Sequence, residues 1–372
     1  MTSVASLAEG KRVVICAGSG GVGKTTTSAA IAAGMAGRGL KVCVLTIDPA
    51  KRLADSLGLA ELGNIERQVD PALFAEADVE AGDGELWAMM LDSKATFDDV
   101  VAKHAPDEET RDAVLSNRIY KELSSALAGS QEYMAMEKLY ELWSEDRFDL
   151  LVLDTPPSRN ALDFLEAPNR LLQFIEGRSL QVFLAPTGFA AKVAGRGTSV
   201  MFSILKRITG VDLLSDLGEF FGSFREMIGG FRERAAKVNE LLADEQSMFL
   251  IVCGPQTETI FEAAFFFGKL QEQGLPFGGA IVNKVHVAGN ARAKGLKAAL
   301  SAELAPDLVA RVTSNYKDLR LLAERDRRNI ERLAVELETS EIIEVPYLDR
   351  DVHDLGGLFE VNRYLFAEER SE

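Results

Sequence analysis

Gly18-Ser19-Gly20-Gly21-Val22-Gly23-Lys24-Thr25 meets every fixed position of the pattern Gly-x4-Gly-Lys-Ser/Thr. Residues 12–17 before it are apolar and β-rich, and residues 25–37 after it are alanine-rich, stopping at Gly37 and Gly39. A strand, a glycine loop and a helix start in this order make an anion cradle. Successive backbone N–H groups and the positive end of the helix point at one place. Glycine lets the backbone wrap a phosphate without a Cβ in the way. Lys24 then belongs on the β and γ phosphates, and the Thr25 hydroxyl on Mg²⁺. A glycine-rich turn that binds nothing is the plain alternative, and the flanking strand and helix argue against it.

Outward from this loop, near-continuous apolar runs occur at residues 12–17, 41–47, 150–154, 248–253 and 279–283, with a shorter one at 342–345. Unbroken runs, rather than alternating ones, fit parallel strands covered by helices on both faces. With helical stretches between them, they predict an α/β fold: a doubly wound, mainly parallel P-loop NTPase sheet. Two intervals are too long for simple crossovers and read as an inserted helical subdomain. The expected order is ATPase core over 10–91, helical subdomain over 92–145, and core with a second switch over 146–165. Apolar helices of the subdomain follow over 166–246, then core with a base-binding strand over 247–288. A helical segment over 289–338 precedes a last core piece, 339–368, carrying a strand, a base loop and a helix.

Three strand ends carry chemistry. Thr46-Ile47-Asp48-Pro49-Ala50 sets a carboxylate where the nucleotide would lie. On position alone, Asp48 reads equally as a group that orients attacking water and as a helix cap before Pro49. Leu150-Leu151-Val152-Leu153-Asp154 ends an apolar strand in an acid, the arrangement that supports Mg²⁺ through water, or else a capping aspartate. Asn283 ends a third strand with an amide able to donate to and accept from a base edge.

The chain has 372 residues, 47% hydrophobic, with a net charge of −16. That length suggests two or three domains, or one carrying a large insertion. That charge repels phosphate backbones and anionic lipid, so nucleic acid is not an expected partner. The three cysteines, Cys16, Cys43 and Cys253, form no Cys-x-x-Cys pair, so no zinc is expected. They read as small buried residues in a reducing compartment. The N-terminus has no apolar leader core, and no apolar stretch reaches about 18 residues, which points to a cytoplasmic chain without membrane insertion.

Together these blocks resemble the arsenite-pump (ArsA) and tail-anchored-protein-targeting ATPases, of the dimeric P-loop group that includes the Min and Par ATPases. The similarity runs from Arg12 to about Leu358. Gly20-Gly21-Val22-Gly23-Lys24-Thr25-Thr26 is similar to the family P-loop, and Asp48-Pro49-Ala50 with Leu53-Ala54-Asp55 to its first switch. Asp154-Thr155-Pro156-Pro157 is similar to the second switch, and Val345-Pro346-Tyr347-Leu348 to the loop over the base. The resemblance implies Lys24 and Asp48 as catalytic residues and Thr25, Asp48 and Asp154 at Mg²⁺. It also implies nucleotide contacts at Gly20 through Thr26, Asn283, Pro346 and Tyr347.

The departures matter as well. The group usually carries a second lysine at the position of Ser19, reaching the partner's phosphates, and a neutral hydroxyl cannot replace that charge. Lys51, Arg52 or Arg159 would then serve, or a partner subunit, or hydrolysis is slow. Ser158-Arg159-Asn160 stands where a histidine is common, and the Cys-x-x-Cys zinc clasp of eukaryotic targeting members is missing.

In targeting members, helical subdomains of a closed dimer form an apolar groove. Residues 183–231, with Met201, Phe220, Phe224 and Met227, have the apolar surplus for one, although such spacing is also an ordinary core face. Residues 354–367 form an amphipathic pattern whose acidic polar face suits docking on the protein's own sheet. His104, His286 and His353 show no ligand spacing. The expected function is an ATP-switched homodimer, or a heterodimer with a related subunit, carrying a hydrophobic polypeptide client. The alternatives are the ATPase subunit of an anion pump with a membrane partner protein, or a slow regulatory or assembly switch.

Overall fold

The structure, a computed structural model, describes residues 2–47, 52–77, 79, 82–118, 120–121, 130–155, 166–167, 173, 229–289 and 293–367. Two compact units emerge. Met1–Met89, Asp146–Leu162 and Ala243–Glu372 form the first, and Met90–Glu145 with Asp163–Leu242 the second.

The first unit is built on eight strands: β1 Val13–Ala17, β2 Lys41–Thr46, β3 Arg67–Gln68, β4 Glu85–Met90, β5 Leu150–Asp154, β6 Ser247–Cys253, β7 Phe277–Val285 and β8 Ile342–Pro346. Their order is β3-β4-β2-β5-β1-β6-β7-β8. β1 pairs in parallel with β5 on one side and β6 on the other, while β2 joins β5, and β7 joins β6 and β8, also in parallel. Every residue of β1, β5 and β6 is buried, which explains their unbroken apolar sequences. The chain leaves β1 for β2 on one side and reaches β6 on the other, so the carboxyl ends of β1 and β5 flank a topological switch point.

β3 and β4 were not among the expected strands. Glu-Leu-Trp-Ala-Met-Met of β4 mixes residues that favour helices with an interrupted burial pattern, and β3 has only two residues, both exposed. They pair antiparallel, which makes the sheet mixed at that edge.

Helix α1, Lys24–Ala36, starts at the phosphate loop and is buried on nearly all sides. Its alanines and Gly34 let other elements come close. A Cβ on Gly34 would lie 2.3 Å from the Phe366 ring. That ring follows the C-terminal helix Leu355–Leu365, whose Leu355, Leu358, Val361 and Leu365 join the α1 core. Asp354 caps this helix by accepting the Gly357 N–H at 2.7 Å. Helix α2, Thr257–Gln273, follows β6 and ends on left-handed Gly274, while α3, Pro306–Glu336, opens on proline. Among the described residues no helix is long and apolar enough to cross a membrane.

The second unit is helical where it is described, with Ser93–His104, Glu108–Ser116, Ser130–Ser144 and a run beginning at residue 229. Buried Glu137 forms an ion pair with Arg234, whose guanidinium also lies 4.3 Å from the Tyr140 ring centre. Most of the apolar series 183–231 lies outside the described residues. Phe231 is described, and it is core rather than groove: fully buried, it packs 6.0 Å from Phe97 and 6.2 Å from His104.

Candidate active site

A cleft of about 580 Å³ opens at the carboxyl end of the sheet in the first unit. Its lining includes Gly21, Gly23, Lys24, Thr25, Thr26, Asn283, Pro346 and Tyr347, eight of the residues expected at a nucleotide. Val22 is buried behind it. The cleft also shows Arg52, Lys284 and Arg350 against a single acid, Asp351, so its charge suits a polyanion although the whole chain is acidic.

The loop's backbone needs its glycines. Gly23 has φ 96°, and a Cβ there would lie 2.3 Å from Asn283 Nδ2; at Gly18 it would lie 1.9 Å from the Val252 carbonyl oxygen. The buried Lys24 ammonium donates to the Ser19 carbonyl at 2.8 Å, so it is folded back along the loop.

At the floor stands Asp154, fully buried, between the ends of β1 and β2 through its register with Cys16 and Thr46. Thr25 Oγ1 donates to Asp154 Oδ2 at 2.7 Å, and Thr46 Oγ1 donates to the same oxygen at 2.9 Å. Thus two residues expected at Mg²⁺, distant in sequence, share one hydrogen bond. A hydroxyl at the loop's end and a buried carboxylate behind it fit a magnesium ion whose other ligands are phosphates and water. No group of three or more His, Cys, Asp or Glu able to hold a metal ion occurs among the described residues. Burial raises the neighbouring Cys16 thiol to about 12. It stays neutral.

Asn283 is turned onto the loop rather than into open space: Nδ2 donates to the Val22 carbonyl at 2.9 Å. Next to it, Lys284 Nζ donates to the Gly21 carbonyl at 3.2 Å. Lys284 is one of the described non-glycine residues with positive φ, 62°, and the β7–β8 register slips between Asn283 and Val285 at this point. A left-handed non-glycine residue costs about 1–2 kcal/mol. The Lys284 N–H itself donates to Asn283 Oδ1 at 2.9 Å, so two hydrogen bonds accompany this conformation.

Beyond it, His286 stacks on Tyr347 at 6.1 Å and 19°. The His286 N–H, at 3.0 Å, and its ring Nδ1, at 2.7 Å, meet Asp326, a fully buried acid of α3 that also accepts from Arg325 at 2.8 Å. Tyr347 N–H donates to the Val285 carbonyl, tying the loop to β7.

Ser19 is also engaged, its hydroxyl donating to Glu262 of α2. Lys284, Glu262 and Asp326 were missed in sequence because no motif spacing marks them. For Lys284 the available signal was its place directly after Asn283. Asp48, Lys51, Arg159, Pro156 and Pro157 lie outside the described residues.

The sequence profile of anion-transporting ATPases matches residues 11–325. The chain belongs to this family. As a member of the anion-transporting ATPase family it is an ATP-binding protein and an ATPase. It is 24% identical over 275 residues to "ATPase GET3" of Podospora anserina, covering 74% of this chain and 73% of that one. It is 34% identical over 172 residues to "Protein Rv2184c" of Mycobacterium tuberculosis, covering 44% and 39% respectively. It is also 24% identical over 277 residues to "ATPase ASNA1 homolog" of Cryptosporidium parvum, covering 73% and 64%.

Proposed function

We propose that the chain is a magnesium-dependent ATPase that works as a nucleotide-switched dimer and couples turnover to holding a hydrophobic polypeptide segment. The observation that carries the site reading is the Thr25–Asp154–Thr46 hydrogen-bond set directly beneath the phosphate loop. It brings a loop hydroxyl that lines a cationic cleft onto a buried strand-end carboxylate.

In this reading Lys24 leaves the Ser19 carbonyl for the β and γ phosphates, and the loop's amides hold the same oxygens. Thr25 and Asp154 would hold Mg²⁺, which when bound neutralises phosphate charge. Asp48 would orient the attacking water, and Asn283, Pro346 and Tyr347 would seat the base. The client reading is supported by the resemblance to targeting ATPases and by the apolar surplus of residues 183–228.

Two variants test the site. Lys24→Ala should reduce ATP hydrolysis about 10²–10³-fold. Asp154→Asn should shift the Mg²⁺ dependence of hydrolysis about 10–100-fold upward. Undiminished turnover in Lys24→Ala, or an unchanged magnesium titration in Asp154→Asn, would sink the assignment. For the client, a synthetic apolar helix of transmembrane length should be retained with a hydrolysis-resistant ATP analogue and released with ADP. Retention unchanged by Phe220→Asp with Phe224→Asp would remove the client reading.

Membership of a family of anion-transporting ATPases favours a second reading, an ATPase subunit of an anion pump. All three cysteines are buried, and Cys253 is raised by burial to about 12, so a thiol-bound oxyanion activator has no reactive partner here. Stimulation of turnover by arsenite would reverse that preference.

A further inference from the structure

We propose that Lys284 is a second phosphate-directed lysine of this ATPase, acting from β7 rather than from the loop itself. The proposal rests on the reading of the cleft as the ATP site. Three observations converge on this side chain. It lines the cleft together with Lys24, Thr25 and Tyr347. Its ammonium reaches the phosphate loop at Gly21, the loop's fourth residue. Its backbone occupies a left-handed conformation at a slip in the β7–β8 register, a position a lysine adopts only when the surroundings impose it.

Asn283 shows that loop anchoring alone does not require a charge here. Its neutral amide already holds the Val22 carbonyl, one peptide further on. A trans peptide plane points its C=O and N–H in opposite directions, so the ammonium must swing off the Gly21 carbonyl, into the cleft that Lys284 lines, to meet a phosphate held by the loop's N–H groups. Lys284 adds to this an ammonium on an exposed, flexible stem, one hydrogen bond away from the backbone that would cradle the phosphates. On nucleotide binding, a phosphate oxygen is a stronger acceptor than the Gly21 carbonyl, and the ammonium moves to it. Lys284 is therefore a cation supplied in cis, and it opposes the repulsion that a net charge of −16 imposes on an incoming polyphosphate.

The test is calorimetric titration of MgATP into the full chain at low and moderate salt, comparing wild type with Lys284→Met, Lys284→Gln and Lys284→Arg. Met and Gln should each weaken binding about 10-fold and flatten its salt dependence, while Arg retains most of the affinity. Thermal unfolding without nucleotide should differ among the four proteins by no more than the loss of one exposed hydrogen bond. Gln binding as tightly as wild type overturns the proposal, because a neutral donor then suffices. Weakening with an unaltered salt dependence also overturns it, leaving loop anchoring as the whole role. Absence of ATP binding in wild type would instead sink the site reading, and that result is distinct from either.

Discussion

At Ser19 the phosphate loop is tied to a carboxylate, that of Glu262 on α2. Two and three residues on, at Gly21 and Val22, it is tied to an ammonium and an amide on β7. One flank thus carries a carboxylate that is not among the cleft's lining residues, and the other places an ammonium in that lining. The two flanks also differ in what stands behind them. Glu262 is exposed on its helix, whereas the β7 flank continues into His286 and the buried Asp326. The lysine flank has the sturdier support, so it should set the loop's shape, while the Ser19 flank adjusts its charge.

The steepest way to break the contrast is at Gly23. Ala would set a Cβ 2.3 Å from Asn283 Nδ2 on a backbone with φ 96°. Two penalties combine, a clash and a strained dihedral, costing about 1–3 kcal/mol each. Gly23→Ala should therefore lose most ATP affinity and unfold at lower temperature. Adding Asn283→Ala removes the clash and leaves the strain, so the double variant should recover part of the thermal stability. No recovery would show that Asn283 does not shape the loop.

A milder break removes the support behind the lysine flank. Burial of Asp326 alone would raise its pKa, but the backbone N–H of His286, Arg325 and the His286 ring together hold it below its ordinary 3.8. A lowered carboxyl contributes stability above its unfolded value, and that contribution is lost as pH falls through the folded one. Asp326→Asn should cost about 1–3 kcal/mol near neutrality, and the gap to wild type should close as pH drops below 3.8. A gap that stays constant with pH would show that the ionised form is not what the fold uses. ATP affinity should fall as well, through the loosened His286–Tyr347 stack, while the Ser19 tether stays intact.

How much of this was legible beforehand divides along the same line. The unbroken apolar runs of β1, β2, β5 and β6 identify buried parallel strands because such strands have no solvent-facing side to alternate with. The phosphate loop is legible because its glycines answer a backbone requirement that no other residue meets. Asp154 could be placed because a strand's end fixes where its side chain goes. Nothing of that kind marks Glu262, which reaches the loop from the middle of a helix 243 residues downstream of Ser19. Lys284 reaches the loop from β7, and Asp326 reaches His286 from α3, by tertiary packing alone, which no local spacing encodes. β4 stayed hidden because its methionines and alanine carry no strand preference of their own.

The gentlest change addresses the acidic flank by itself. Glu262→Gln keeps an oxygen that accepts the Ser19 hydroxyl and removes only the charge. A carboxylate exposed at the rim of the loop repels phosphate through water, a weak and screened effect, so ATP should bind about two- to five-fold more tightly. The gain should be largest at low salt and fade as ionic strength rises. Glu262→Ala separates tether from charge: it removes both, so any deficit relative to Gln measures what anchoring Ser19 contributes. If Gln leaves affinity unchanged at every ionic strength, the acid is electrostatically silent. The two flanks would then differ in geometry alone, with the Ser19–Glu262 bond serving only to hold the start of the loop against α2.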